Sequence, residues 1–267
     1  MRAFIYAAGR AMRLGPEFAH RPKILIEFGG KSLLEWHALR LSEAGVRELT
    51  IVTGHEREQI AALLPQLAAT YGMKIDEIEN PDFTEGSVLS FNVSLPAVLS
   101  AGDSVLLMDG DVLYPTEMLR CLLRSPHPTT MLIDRNYSTA DDDPVLVPLR
   151  AGKPFDFVKR WRGNAEQVGE SIRFFKVARA ELTLLADETR KRIVGAGRLD
   201  SYDDVLRVLV QAGRFACEDV TGLPWTEVDF PQDVEYASHE VLPALLRSPS
   251  TSVDSVNRRR SEALPAI

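Results

Sequence analysis

Two cysteines in 267 residues, Cys121 and Cys217, leave no disulfide framework and no paired spacing for a zinc site. A reducing compartment is the default expectation. No apolar run approaches the roughly 18 residues needed to span a bilayer. The N-terminus lacks the pattern of a signal peptide, because a few apolar residues are interrupted at once by Gly9 and Arg10. Positive charge is in deficit: 31 Lys and Arg stand against 38 Asp and Glu, a net charge of −7. That balance argues against a nucleic-acid or anionic-membrane partner, though it leaves room for a local basic pocket. No internal repeat occurs. These absences predict a cytoplasmic chain with no membrane span, and 45% hydrophobic residues suffice for a full core.

The apolar run at residues 3–6 reads as a buried first strand ending in a glycine turn. Residues 31–44 have helical apolar spacing with Gly45 as a stop, and residues 46–53 form a strand. Residues 56–70 read as one helix kinked at Pro65, residues 74–78 as a strand, and residues 87–100 as a helix capped by Ser87. Residues 104–108 are a continuous apolar strand of the kind found inside parallel sheets. Strand and helix in alternation predict an α/β sheet with right-handed crossovers. The second half is less regular. Strands are expected at 129–133, 145–148, 153–159, 172–177 and near 215–220, with a polar loop at 160–170. Helices are expected at 178–189 and 200–211, then a short strand at 225–228 and a helix opened by Pro231. Residues 1–247 read as one domain, and the Ser-, Pro- and Arg-rich residues 248–267 as a disordered tail.

Small residues Ala7, Ala8 and Gly9 just past the first strand let backbone approach a ligand closely. Arg10, Arg13 and Lys23 add cations there, which suits a polyanion such as a nucleoside triphosphate. An ordinary strand-to-helix turn with solvent-facing cations fits those residues equally well. Asp109 and Asp111 end the buried 104–108 strand at the carboxyl edge of the sheet, where α/β folds bind ligands. An Asp-x-Asp pair there suits Mg²⁺ better than it suits a simple turn. Glu227 and Asp229 repeat the pattern late in the chain, and one of them could complete the metal site with Asp111, although Asp229 could equally cap the helix opened by Pro231.

Other motifs fail. Gly29-Gly30-Lys31-Ser32 resembles the end of a P-loop, but Leu25 stands where its first glycine must be. The first turn is not G-x-G-x-x-G, and Thr53-Gly54-His55 offers no acid for a ribose. Ser87, Cys121 and His37 come with no partner spacing for a nucleophilic triad.

Ala7-Ala8-Gly9-Arg10, Arg13-Leu14, Arg21-Pro22-Lys23, Gly29-Gly30-Lys31-Ser32, Asp109-Gly110-Asp111 and Glu227-Val228-Asp229 together resemble the nucleotidyltransferase (nucleotide-sugar pyrophosphorylase) superfamily. Their order is most similar to bacterial phosphocholine cytidylyltransferases and enzymes acting on small phospho-alcohols or phosphonates. The resemblance covers about residues 1–245. It implies a Rossmann-like mixed, mostly parallel sheet flanked by helices, the nucleotide-diphospho-sugar transferase type, with an acceptor-binding insertion. It implies a Mg²⁺-dependent cytidylyltransferase that joins a nucleoside triphosphate, CTP favoured, to a small phosphomonoester or phosphonate such as phosphocholine. By position, the loop 7–13 would wrap the triphosphate, with Arg13 and Lys23 on its phosphates and Lys159 on the acceptor phosphate. Asp111 and Asp229 would hold Mg²⁺, Asp109 would lie beside the nucleotide, and the Glu85-Gly86-Ser87 turn would read the base. Ala11 and Met12 depart from the family loop, which has glycine then serine or threonine.

Trp161, Trp225, Tyr137 and Phe174 are candidates for an aromatic wall around a cationic acceptor, or are core. Asp141, Asp142, Asp143, Glu166 and Glu170 are candidate carboxylates for it. A phospho-sugar or inositol-phosphate acceptor stays open, as do a glycosyltransferase with an Asp-x-Asp metal site, a nucleotide-binding regulatory protein, and the oligomeric state.

Overall fold

The computed structural model describes residues 1–136 and 144–247. The expected tail, Tyr137 and the acidic residues 141–143 lie outside them.

The chain opens with β1 (Arg2–Ala7), an interior strand of the sheet. Single 3-10 turns at Pro16–Phe18 and Lys23–Leu25 lead into a hairpin of β2 (Glu27–Phe28) and β3 (Lys31–Ser32). Then come α1 (Leu33–Glu43), β4 (Glu48–Thr53), α2 (Arg57–Ala61), α3 (Leu64–Tyr71) and β5 (Lys74–Glu79). After α4 (Ser87–Ser100) follow β6 (Val105–Asp109), β7 (Val112–Leu113), α5 (Thr116–Arg124) and β8 (Thr130–Asp134). The second half holds β9 (Leu146–Arg150), β10 (Lys153–Pro154), the long β11 (Gln167–Val177), α6 (Arg179–Arg192) and α7 (Tyr202–Gln211). It finishes with β12 (Ala216–Asp219), β13 (Thr226–Glu227), α8 (Pro231–Tyr236) and α9 (Leu242–Arg247).

The sheet runs β10-β9-β11-β6-β1-β4-β5, with β8 on β11 and β12 on β8. Ile5 of β1 stands beside Ile51 of β4 on one side and Met108 of β6 on the other, all parallel. The chain therefore winds outward from β1 through β4 and β5, then returns to β6 on the opposite side. A crevice opens at the carboxyl ends of the strands wherever such a reversal occurs. β11 runs antiparallel to β6 and makes the sheet mixed.

Strand residues alternate between two cores. Ile5, Ile51, Leu106, Met108 and Phe174 face α1, α3 and α5, while Phe4, Leu107, Phe175 and Val177 face α4, α6 and α7. Both faces are covered, which is why β6 reads as an unbroken apolar run.

Boundaries moved where local chemistry overrides periodicity. Gly29 and Gly30 adopt φ of 60° and 76°, the geometry of a type I′ hairpin turn. The P-loop-like tetrapeptide is thus a hairpin whose last residue caps α1: the Glu35 N–H donates to Ser32 Oγ at 3.2 Å, and the Ser32 N–H to the Glu35 carboxylate at 3.0 Å. The single helix expected at 56–70 is two, because Pro65 lies in the first turn of α3 and starts a helix where a kink was expected. Gly86, not Ser87, holds the N-cap position of α4. The strand expected at 153–159 is confined to β10, with Val158 making one bridge to Leu146. β11 takes in the end of the loop expected at 160–170, because residues 167–170 pair with β9.

His37 on α1 is fully buried, and its Nδ1 lies 3.1 Å from the Tyr114 hydroxyl. Burial pushes its pKa down from 6.5 to about 4, although the Gly110 backbone and Asp111 favour the charged ring. As pH falls from 6.5 to 4 the unfolded chain takes up this proton and the native chain does not. This contribution is complete above pH 6.5 and is lost toward pH 4, by about 3 kcal/mol in total. Urea unfolding across that window should show the slope, and His37→Phe should flatten it; equal slopes in both proteins would assign the dependence elsewhere.

Candidate active site

The residues singled out from the sequence line one cleft of about 400 Å³ at the carboxyl edge of β1 and β6. Ala7, Ala8, Gly9, Arg10, Arg13 and Lys23 form its β1 side, Asp109, Asp111 and Asp229 its floor, and Gly86, Ser87 and Lys159 the remaining walls.

The loop after β1 is anchored rather than free. The His55 N–H donates to the Ala8 carbonyl at 3.2 Å, and His55 Nε2 contacts the Ala19 carbonyl at 2.9 Å. Arg10 bridges Pro22 across the loop, which brings its base beside Lys23. Ala11 and Met12 divide the labour at the point of departure from the family loop. Ala11 is buried in the core with Leu14, whereas Met12 faces solvent. A methyl group at 11 gives the loop an apolar anchor that glycine lacks.

Lys23 extends from its 3-10 turn, which is set by Pro22 and held by buried Ile24 and Leu25. Its Nζ donates to Asp111 Oδ2 at 2.7 Å and to Asp229 Oδ1. Arg13 donates to the other oxygen of Asp229 at 2.6 Å, and its guanidinium lies 4.9 Å from the Phe230 ring centre. Asp229 does not cap α8; Asp233 does that, accepting from the N–H groups of Asp229 and Phe230 at 2.8 and 2.7 Å.

A second cation, which the sequence reading missed, organises the other acids. Arg173 of β11 sits at a register break between Ser171 and Phe175 with φ of 61°, a left-handed conformation for a residue with a side chain. Its Nη2 donates to Asp203 at 2.7 Å, and Nη1 lies 3.8 Å from Glu227. Its Nε stands 2.6 Å from Asp109 Oδ2 but off the hydrogen-bonding axis, so that contact is ionic. Tyr202, first residue of α7, donates its hydroxyl to the other oxygen of Asp109. A lone arginine within the apolar Ile172-Arg173-Phe174-Phe175 stretch was the available signal.

Electrostatics follow from burial. Desolvation raises Asp109 to about 7, opposed by Arg173 and reinforced by Asp111. Burial and the Asp111 charge likewise push Glu227 well above the usual carboxylate range. Burial acts on Asp111 in the same direction, but Lys23 outweighs it and holds that carboxyl below its ordinary value. Lys23 rises for the reciprocal reason: its acidic neighbours outweigh its burial.

The donor set fits a divalent cation. Oxygens of Asp109, Asp111 and Glu227 lie within 4.8 Å of one another, and Asp111 Oδ1 is buried with no hydrogen-bond partner. In this contact network Asp109, Asp111, Asp203, Glu227 and Asp229 face Lys23, Arg173 and Arg13. All three donors, from Asp109, Asp111 and Glu227, are hard carboxylate oxygens of the kind such an ion takes.

The aromatic candidates do not converge. Phe174 is core, Trp161 packs edge-on against Phe155, and the Trp225 indole N–H donates to Asp134 at 2.8 Å. Glu166 accepts the Ala151 N–H at 2.7 Å in a turn, and Glu170 is buried.

Comparison with known proteins agrees with this architecture. The chain is 29% identical over 260 residues to the CMP-5'-(3-aminopropyl)phosphonate synthase of Streptomyces rubellomurinus, covering 91% of this chain and 39% of that protein. It is 29% identical over 243 residues to a bifunctional IPC transferase and DIPP synthase of Rubrobacter xylanophilus, covering 90% and 52%. The chain thus spans about half or less of the length of these relatives. The inositol-1-phosphate CTP transferase from T. maritima shares the fold, with a TM-score of 0.74 at 20% identity over 92% of this chain and 96% of that one. The model of the MobA-like NTP transferase domain matches residues 3–188, and the chain belongs to that nucleotidyltransferase family.

Proposed function

We propose that this chain is a Mg²⁺-dependent nucleotidyltransferase joining CTP to a small phosphonate or phosphomonoester, with release of pyrophosphate. The observation that carries the proposal is the Lys23 ammonium between Asp111 and Asp229, at the strand edge beside the Ala7–Gly9 loop. An acceptor oxygen that is already an anion attacks the α-phosphorus in line, and pyrophosphate leaves. Such a step needs no protein nucleophile; it needs two anions held together and their charge offset. Arg13 and Lys23 supply fixed cations for the triphosphate, and Lys159, which lines the same cleft, supplies one for the acceptor. Asp111, with Asp109 and Glu227 grouped around it and Asp229 joined to it through Lys23, would hold Mg²⁺, which when bound neutralises phosphate charge. The choice of CTP and of a phosphonate or phospho-alcohol rests on the names of relatives, an aminopropylphosphonate CMP ligation and an inositol-phosphate CTP transfer.

Pyrophosphate release should be screened for the four nucleoside triphosphates against phosphocholine, aminoalkyl phosphonates, inositol phosphate and sugar phosphates. Turnover is expected with CTP and one acceptor, stopped by EDTA and restored by Mg²⁺. Release of a nucleoside diphosphate from a sugar nucleotide instead would overturn the reading.

A further inference from the structure

Two segments far apart in sequence, 82–88 and 198–202, close one side of the cleft against each other. The Gly86 N–H donates to the Arg198 carbonyl at 2.9 Å, and the Val88 N–H to the Asp200 carbonyl at 3.2 Å. The Tyr202 N–H donates to Ser87 Oγ at 3.1 Å, which also lies 3.2 Å from Ser201 Oγ. The first turn of α4 is thus tied to residues 198–200, and the Tyr202 N–H of α7 to Ser87, while Ser201 caps α7 itself. Glycine is required at 86, since a Cβ there would meet the Arg198 carbonyl oxygen at 2.6 Å. Across this seam Arg198 reaches back with a two-pronged contact to Glu85, Nε to Oε2 at 2.7 Å and Nη2 to Oε1 at 2.6 Å, and with Nη2 to Asp82 at 3.1 Å. Arg198 itself is not among the cleft-lining residues, whereas Glu85, Gly86, Leu199 and Asp200 are.

We infer that Arg198 is a positioning residue for the nucleotide: its guanidinium locks the two walls at a fixed separation and neutralises Glu85, which lines the cleft. The inference rests on the nucleotidyltransferase reading above, in which the 85–87 turn faces the base. Both effects follow from the chemistry of the contact. A planar guanidinium gripping both carboxylate oxygens fixes orientation as well as distance, which an ammonium does not. Without it, Glu85 presents uncompensated negative charge to an incoming polyanion, with Asp82 beside it. A wall free to shift also loses its discrimination between bases, because readout of a planar base depends on donors and acceptors held in register.

Equilibrium binding of CTP, UTP, ATP and GTP with Mg²⁺ should be measured by calorimetry, alongside steady-state kinetics and melting temperature. Arg198→Ala is expected to weaken binding of the preferred triphosphate roughly tenfold and to narrow its preference over the others, with kcat at saturation within about threefold. Arg198→Lys should recover affinity but not preference. Arg190→Ala, which removes a surface arginine paired with Asp187, should leave both unchanged. Affinity and preference in Arg198→Ala within twofold of the wild type would overturn the inference while leaving the functional reading intact, as would a loss matched by Arg190→Ala. A wild type that binds none of the four triphosphates would overturn both.

Discussion

Lys23→Ala is expected to lower pyrophosphate release at least a hundredfold while the fold is retained. Removing one preorganised electrostatic contact from a transfer site costs on the order of 3 kcal/mol. Lys23 holds a more demanding position than a single contact. It separates Asp111 from Asp229, with Glu227 close to Asp111, and its charge keeps Asp111 ionised against its burial. On the proposed reading, the variant loses a cation for the triphosphate and gains repulsion among the carboxylates. Two measurements separate these losses. Turnover should stay below about a hundredth of the wild type at saturating substrates. Added Mg²⁺ should raise the melting temperature more in the variant than in the wild type, since the ion then has more uncompensated charge to offset. Turnover within tenfold of the wild type would remove Lys23 from the mechanism.

Arg173→Ala should produce the larger loss of stability. Its guanidinium is the buried counter-charge to Asp109 and Asp203, with Glu227 at 3.8 Å. Breaking a buried ion pair from one side typically costs about 3–5 kcal/mol, because the remaining acid stays buried and unpaired. That is a large part of the roughly 5–15 kcal/mol by which domains are stable. The backbone supplies an internal control. With φ of 61° at this position, Arg173→Gly loses the same ion pairs as Arg173→Ala but sheds the steric penalty of the Cβ. Chemical denaturation should find the glycine variant more stable than the alanine variant by about 1 kcal/mol. An alanine variant as stable as the wild type would show that neighbouring acids are neutral in the native state and need no partner.

The parts of the site legible in the sequence are those that sit at strand ends. The Asp109-Gly110-Asp111 turn was readable because β6 is buried on both faces, so acids at its end must face the carboxyl edge. Lys23 and Asp229 were legible through the family resemblance, which places them by order along the chain. The parts that escaped depend on pairing between distant segments. Arg173 faces the cleft only because β11 breaks register there, and periodicity carries no trace of a register break. Tyr202 and Asp203 were read as the start of a helix; that the helix begins against Ser87 is a tertiary fact. The capping serine at 87 was mislocated for the same reason: its hydroxyl serves the neighbouring helix instead of its own.

The Lys23–Asp229 contact joins residues separated by 206 positions. The family match ends at residue 188, so Asp229, Glu227 and Tyr202 all lie beyond the segment that defines the family. A unit grafted into another protein and ending at that boundary would bring Arg10, Arg13 and Asp111 but leave Lys23 with one acid in place of two. Only a segment running from β1 to Asp229 closes both sides of the Lys23 contact.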